Sequence, residues 1–192
     1  ENKMSKIWFT SDTHYGHANI IKYCQRPYSN VEEMNEALIT NYNSVVRPED
    51  TVFHLGDFAF MQVDKVKYIA SRLNGNKHLL YGNHDKVIRG ARGAFESSFN
   101  FIRDYHELTV NGIKIVMCHY PMLSWHGSGR GSIMLHGHSH GNTNYGHLKD
   151  AKILDVGVDC HNYFPISADE VFRKMEKRVA EDYGRNRKQG QM

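Results

Sequence analysis

Ile7-Trp8-Phe9-Thr10-Ser11-Asp12-Thr13-His14 is the stretch that decides how this chain is read. Ile7 to Thr10 is a short apolar burst of the kind that forms a buried strand, and Asp12 and His14 fall where that strand runs into a loop. The same pattern returns four times. Thr51–Leu55 ends in Gly56-Asp57, Lys77–Tyr81 in Gly82-Asn83-His84-Asp85, Ile113–Cys118 in His119, and Ile133–Leu135 in His136-Gly137-His138-Ser139-His140. Loops at strand ends are where a rigid scaffold presents reactive groups. A strand-terminal Asp alone is usually a turn former, and a lone His is usually a surface or satisfied core residue. Five such endings in chain order, each with a metal-competent side chain, outweigh that plain reading.

The segments between these strands fit helices and turns. Asn30-Val31-Glu32-Glu33 is a capping box, and Val31, Met34, Leu38, Tyr42 and Val45 follow at helical spacing until Pro48. Val63, Val66, Ile69, Ala70 and Leu73 predict a second helix that stops near Asn74-Gly75. Leu108–Val110 and Ile113–Cys118 flank Asn111-Gly112, a hairpin signal. Gly127–Ser132 reads as a loop and Ile153–Val156 as a further strand. Ser167-Ala168-Asp169-Glu170 caps a last helix expected to reach Tyr183, with Val171, Phe172, Met175 and Val179 inward. The first half alternates strand and helix. The second is expected to be strand-rich and largely antiparallel. Together they predict a mixed-sheet α/β sandwich, a single domain over 4–183 followed by a flexible basic tail over 184–192.

A chain of 192 residues is about one domain. Its 40% hydrophobic and 23% charged content sits near the globular average, which excludes a disordered, collagen-like or disulfide-dense protein. No apolar run approaches the roughly 20 residues of a membrane helix, so no membrane partner is expected. The net charge of +3 belongs to the C-terminal end: Arg173 to Met192 hold seven Lys/Arg against three Asp/Glu. That end reads as a solvated helix terminus, with weak nucleic-acid attraction as the sharper alternative. Cys24, Cys118 and Cys160 are widely spaced and form no C-x-x-C pair, which argues against a zinc ribbon or a thioredoxin-type site and for a reduced, cytoplasmic setting. The segment after Glu1 reads as a strand rather than a leader. The unusual number is 13 histidines, the residue type of metal ligation and near-neutral proton transfer.

Asp12, His14, Asp57, Asn83, His119, His138 and His140 are two carboxylates, an amide oxygen and four imidazoles. No thiolate is placed among them. Such a set suits Mn²⁺, with Fe, Zn, Ni or Co as alternatives, and does not suit a structural zinc site. It is too large for one tetrahedral ion. With one carboxylate shared, it divides between two divalent ions about 3.5–4 Å apart, an arrangement that activates water and clamps phosphoryl oxygens.

The ordered set Asp12-x-His14, Gly56-Asp57, Gly82-Asn83-His84-Asp85, His119 and Gly137-His138-x-His140 resembles the calcineurin-like metallophosphoesterase superfamily, with Gly157-Val158-Asp159 and Pro165 similar to its closing segment. The resemblance implies a four-layer α/β/β/α sandwich of two mixed sheets flanked by helices. It implies that Asp12, His14 and His140 hold one metal, that Asn83, His119 and His138 hold the other, and that Asp57 bridges them. A metal-bridging hydroxide would attack phosphorus in line. His84 would stabilise charge or protonate the leaving oxygen, and Asp85 would orient its ring or, alternatively, act as a cap.

The expected substrate is a small phosphodiester or phosphomonoester, nucleotide-like by preference. The protein phosphatases of that superfamily carry Asp-Arg-Gly soon after the second motif and Glu after Asn-His. Here Phe58-Ala59-Phe60-Met61 follow Asp57, and Asp85 stands in place of the Glu. His17 and Asn19 are candidates to line the substrate, and Arg26 to supply the phosphate contact. His126, Arg130, His147 and His161 are weaker candidates from loops, and Trp125 is a candidate pocket wall. His54, His78 and Trp8 read as structural. Two alternatives remain: a metal-dependent nuclease, not favoured because no second duplex-gripping domain is read, and a non-catalytic phosphate- or protein-binding scaffold.

Overall fold

The computed structural model describes residues 4–180; the tail expected over 184–192, and Tyr183 with it, lie outside the described residues. In chain order the elements are β1 (Ile7–Thr10), α1 (Ala18–Tyr23), α2 (Val31–Val45), β2 (Thr51–His54), α3 (Val63–Arg72), β3 (Asn76–Leu80) and α4 (Lys86–Gly90). Then follow β4 (Ile102–Arg103), β5 (Tyr105–Val110), β6 (Ile113–Cys118), β7 (Ile133–His136), β8 (Ile153–Asp155), β9 (Ile166–Ser167) and α5 (Ala168–Met175).

Period-two alternation sorts the strand side chains into three apolar layers. Val52 and Leu79 face one layer with Met34, Leu38, Val66 and Ile69 of α2 and α3. Phe9, Phe53 and Leu80 face the opposite way and meet Ile115, Met117, Ile133 and Leu135 of the second sheet. Val116, Met134 and Ile153 point outward from that second sheet and are covered by Trp125, Leu148 and Ala151. The result is two mixed sheets flanked by helices, with α5 contributing Val171 and Met175 to the middle layer. The outer cover of the second sheet comes from loops carrying 3-10 turns at Ser128–Arg130 and Gly146–Leu148.

The first sheet runs β4-β3-β2-β1-β9 and the second β5-β6-β7-β8. β1 to β4 are parallel, and only β9 opposes β1. In the second sheet β5 and β6 form the expected hairpin, with Asn111 at φ 51° and Gly112 at φ 77°, the pair of left-handed residues a type I′ turn requires. The expectation that the second half is largely antiparallel is corrected: β6, β7 and β8 are parallel. The loops leaving β6 and β7 are long enough to carry the chain back to the starting edge, which parallel pairing needs. The consequence is functional, since His119 and His138 now emerge at one edge.

Asn30 caps α2 as expected, its Oδ1 accepting from the Glu33 N–H at 2.8 Å. Ser167 caps α5, but that helix ends at Met175 rather than near Tyr183. Val179 is not an inward helical residue. It pairs with Ala151 in an isolated bridge, donates its N–H to the Asp150 carbonyl and is half exposed. Tertiary pairing with the segment before β8 outcompetes one more helical turn. Among the described residues, no helix is long and apolar enough to cross a membrane.

Candidate metal centre

The C-terminal ends of β1, β2 and β3 share one edge of the first sheet, and those of β6, β7 and β8 share one edge of the second. The two edges meet. Ser11 and Gly157 form a parallel bridge, and Val158 donates its N–H to the Ser11 carbonyl. Close approach needs glycine at the contacts. A Cβ on Gly82 would stand 2.1 Å from Asp57 Oδ1, and one on Gly137 would stand 2.4 Å from Asp12 Oδ2.

Five ligand candidates occupy left-handed backbone: Asp12 (φ 57°), His14 (52°), Asp57 (53°), His138 (69°) and His140 (48°). For a residue with a side chain this costs about 1–2 kcal/mol each. The surrounding hydrogen bonds enforce it. Asp12 N–H donates to the Gly56 carbonyl, His14 N–H to the Asp57 carbonyl, and His138 N–H to both oxygens of the Asp12 carboxylate. Conformational strain concentrated at one set of polar residues marks a functional site.

The expected ligands gather in two groups, and the Cys24 thiol, placed outside them by the sequence reading, approaches His140 and Asp159 in a third. Ligand atoms of Asp12, His14 and His140 lie within 4.8 Å of one another, and so do those of Asp57, His119 and His138. Asn83 joins the second group, its Oδ1 lying 3.1 Å from His119 Nε2 and 2.9 Å from His138 Nδ1. Asp57 Oδ2 lies between the groups, 3.5 Å from His14 Nε2 and 3.6 Å from His119 Nε2.

The outer contacts aim the ring nitrogens inward. His119 Nδ1 donates to the Leu55 carbonyl at 2.8 Å, which leaves the Nε2 lone pair facing Asp57 and Asn83. His140 Nδ1 lies 2.7 Å from Asp159 Oδ2, leaving Nε2 on the Asp12 side. This is the second-layer pairing typical of metal-ligating histidine.

The donor set fits divalent cations on three counts. His14 is buried with neither ring nitrogen hydrogen-bonded, an expensive arrangement without a partner. Burial holds its pKa far below the usual imidazole range, so the ring is neutral. Burial also pushes the Asp12 carboxyl up to about 8, against the pull of His140. A carboxylate so poorly solvated is one a cation would stabilise.

His84 sits beside the groups, half-buried, its ring 5.4 Å from that of His14. Its N–H donates to Asp57 Oδ1 at 2.8 Å. His17 lies at the start of α1, with its ring 5.5 Å from His14, 6.0 Å from His84 and 5.0 Å from Phe60. Burial lowers its pKa.

Two expected roles change, those of Arg26 and Asp85. Arg26 is buried, not aimed at a phosphate. Its guanidinium donates to both oxygens of Asp159 and to the Asp12 and Thr13 carbonyls. It therefore braces the first loop from behind. Asp85 accepts the N–H groups of Asp57 (2.8 Å), Phe58 (2.9 Å) and Gly82 (2.8 Å), so it ties two ligand loops together rather than orienting His84. Burial raises its pKa to about 6 in spite of those donors. Asn19 is exposed in the first turn of α1.

The weaker candidates are mostly placed elsewhere. His126 pairs with Glu107 at 2.9 Å, Arg130 and His147 lie in the 3-10 turns of the outer cover, and Trp125 is buried in that layer. His161 Nε2 donates to the Asp155 carbonyl at 2.8 Å, and the Asp155 carboxylate holds the Gly141 and Gly157 N–H groups. His54 is structural: it accepts the Gly56 N–H at Nδ1 and meets Thr13 Oγ1 at Nε2. The brace from Asp159 went unassigned in the sequence because its partners, Arg26 and His140, meet it only in the fold.

Residues 5–157 match the family model for the calcineurin-like phosphoesterase superfamily domain. The uncharacterised protein MJ1445 of Methanocaldococcus jannaschii is 39% identical over 183 residues, 91% of this chain and 93% of that protein. The Gene 66 protein of Mycobacterium phage L5 is 28% identical, over 88% of this chain and 93% of its own. Among solved structures, the protein of unknown function AQ665 from Aquifex aeolicus superposes with a TM-score of 0.73 at 29% identity, covering 89% of this chain and 100% of that one. With the family model spanning most of its length, this chain belongs to the calcineurin-like phosphoesterase superfamily.

Proposed function

We propose that this protein is a dinuclear metal-dependent phosphoesterase acting on a phosphodiester or phosphomonoester. The observation that carries the reading is the convergence of two ligand groups on the shared Asp57 carboxylate, with His84 alongside. Asp12, His14 and His140 would hold one divalent cation, Asn83, His119 and His138 the other, and Asp57 both. Bound there, Mn²⁺ or a similar cation supplies Lewis-acid charge to phosphoryl oxygens and lowers the pKa of water. With a cation bound, His119 and His140 would turn Nε2 lone pairs to it, because the Leu55 carbonyl and Asp159 hold their Nδ1 protons. Asp85 keeps the Asp57 and Gly82 loops in register. His84 donates a proton to the departing ester oxygen, and His17 and Phe60 flank the path to it. The three free cysteines fit a reducing, cytoplasmic setting.

The test is metal content and hydrolysis of bis(p-nitrophenyl) phosphate with Mn²⁺ supplied. Asp57→Asn and His119→Ala are expected to lose bound metal and hydrolysis together. His84→Ala is expected to keep its metal and lose about 10²–10⁴-fold in turnover. Full activity in both ligand variants would overturn the proposal.

A further inference from the structure

Two clefts open beside the Asn83-His84 pair. The larger, about 550 Å³, is lined by Val31, Ala59, Phe60, Met61, Val87 and His84 among others. The smaller, about 350 Å³, is lined by Tyr81, Asn83, Arg89, Asp104, Cys118 and Tyr120 among others. Lys86 borders both, so the segment after β3 stands as a wall with a cleft on each side. Both volumes fall within the range of small-molecule sites, roughly 300–1,000 Å³. Each begins at the metal centre, one at His84 and the other at the ligand candidate Asn83.

Their linings differ. The larger cleft sets apolar side chains beside Glu32, Gln62 and Lys65, and Phe60 in its lining is 55% exposed although it is a large aromatic next to the reactive groups. Its ring neighbours His17 at 5.0 Å and His84 at 6.2 Å. In the smaller cleft Tyr120 is 46% exposed and stands 4.7 Å from the His138 ring, centroid to centroid. Arg89 lies over Tyr81 at 3.9 Å and is paired with Asp104 at 2.6 Å, so its charge is already engaged. Arg26, the other arginine beside the ligand loops, is committed to Asp159. Lys65 in the larger cleft and Lys86 between the two supply cationic charge to either kind of ester, so it is the pair of clefts that favours a diester. A diester carries one negative charge fewer and has a second organic arm to place.

We infer that the substrate is a phosphodiester whose two arms occupy the two clefts, a planar aromatic arm against Phe60 and the other arm against Tyr120. The inference rests on the phosphoesterase reading and makes it specific. Water adds its oxygen to phosphorus, one ester P–O bond breaks, and the products are an alcohol and a phosphomonoester.

Diphenylphosphinate and phenylphosphonate test the geometry without turnover, because the first carries two aryl arms on one anionic phosphorus and the second carries one. Calorimetric titration of the Mn²⁺-loaded protein is expected to show tighter binding of diphenylphosphinate. Phe60→Ala is expected to weaken both ligands about tenfold, and Tyr120→Ala to weaken diphenylphosphinate alone by a similar factor. In kinetics, bis(p-nitrophenyl) phosphate is expected to give a higher kcat/KM than p-nitrophenyl phosphate, with Tyr120→Ala raising KM for the diester only. If the protein hydrolyses both esters but either variant leaves diester binding unchanged, or the monoester is preferred, the two-arm assignment fails while the phosphoesterase reading stands. If the metal-loaded protein hydrolyses neither ester, both fall.

Discussion

Arg26 illustrates how a single residue divides between two roles that its sequence context does not separate. An arginine shortly after Asp12-x-His14 is a fair candidate to grip phosphate. In the fold its side chain is fully buried, and Asp159, 133 positions away in the chain, takes both edges of its fork. Asp159 in turn holds His140, and its own pKa is lowered because these two partners outweigh the cost of burial. Arg26→Ala is therefore expected to leave the Asp159 carboxylate with His140 as its remaining partner and cost about 3–5 kcal/mol of stability, read by denaturant unfolding. A substrate-contact role predicts instead an unchanged stability and a raised KM. The ligand candidates could be picked out in the sequence because each sits next to a strand, so local pattern sufficed. The supports were not, because Arg26–Asp159 and Asp85 with the Asp57 loop are long-range pairings that leave no local pattern. Left-handed backbone at Asp12, His14, Asp57, His138 and His140 was equally invisible, since Asp and His do not advertise it as glycine does.

At the scale of elements, the strands were legible as short apolar bursts and the long helices from caps and spacing, whereas strand direction was not. Whether β6 and β7 run parallel depends on what the loop between them does, and that loop has no regular pattern. The short elements α1, α4, β4 and β9 carry too few residues for periodicity to register. The contact between the loops after β2 and β3 makes a sharp prediction. Gly82 packs so closely on Asp57 that an added methyl would stand 2.3 Å from the Asp57 backbone nitrogen. Gly82→Ala is expected to push the two loops apart, costing about 1–3 kcal/mol in thermal unfolding and lowering metal stoichiometry. A variant with unchanged Tm and full metal content would show that these loops yield more easily than their geometry implies.

For the whole molecule, neither sheet owns a complete ligand group. Asp12 and His14 come from the first sheet and His140 from the second; Asp57 and Asn83 come from the first and His119 and His138 from the second. A bound cation would thus cross-link the two halves of the sandwich. Adding Mn²⁺ at a hundredfold excess over its Kd is expected to stabilise the fold by about 2.7 kcal/mol, seen as a rise in Tm by calorimetry. An unchanged Tm on metal addition would contradict a cation spanning both sheets. The Asp159 brace also sets a timetable for biogenesis. A chain leaving the ribosome presents Asp12 and His14 first and His140 much later, but His140 has no anchor until Asp159 has emerged as well. Any metal loading would then fall late in the protein's maturation, and a chain released before that residue would carry all seven ligand candidates without the brace on His140.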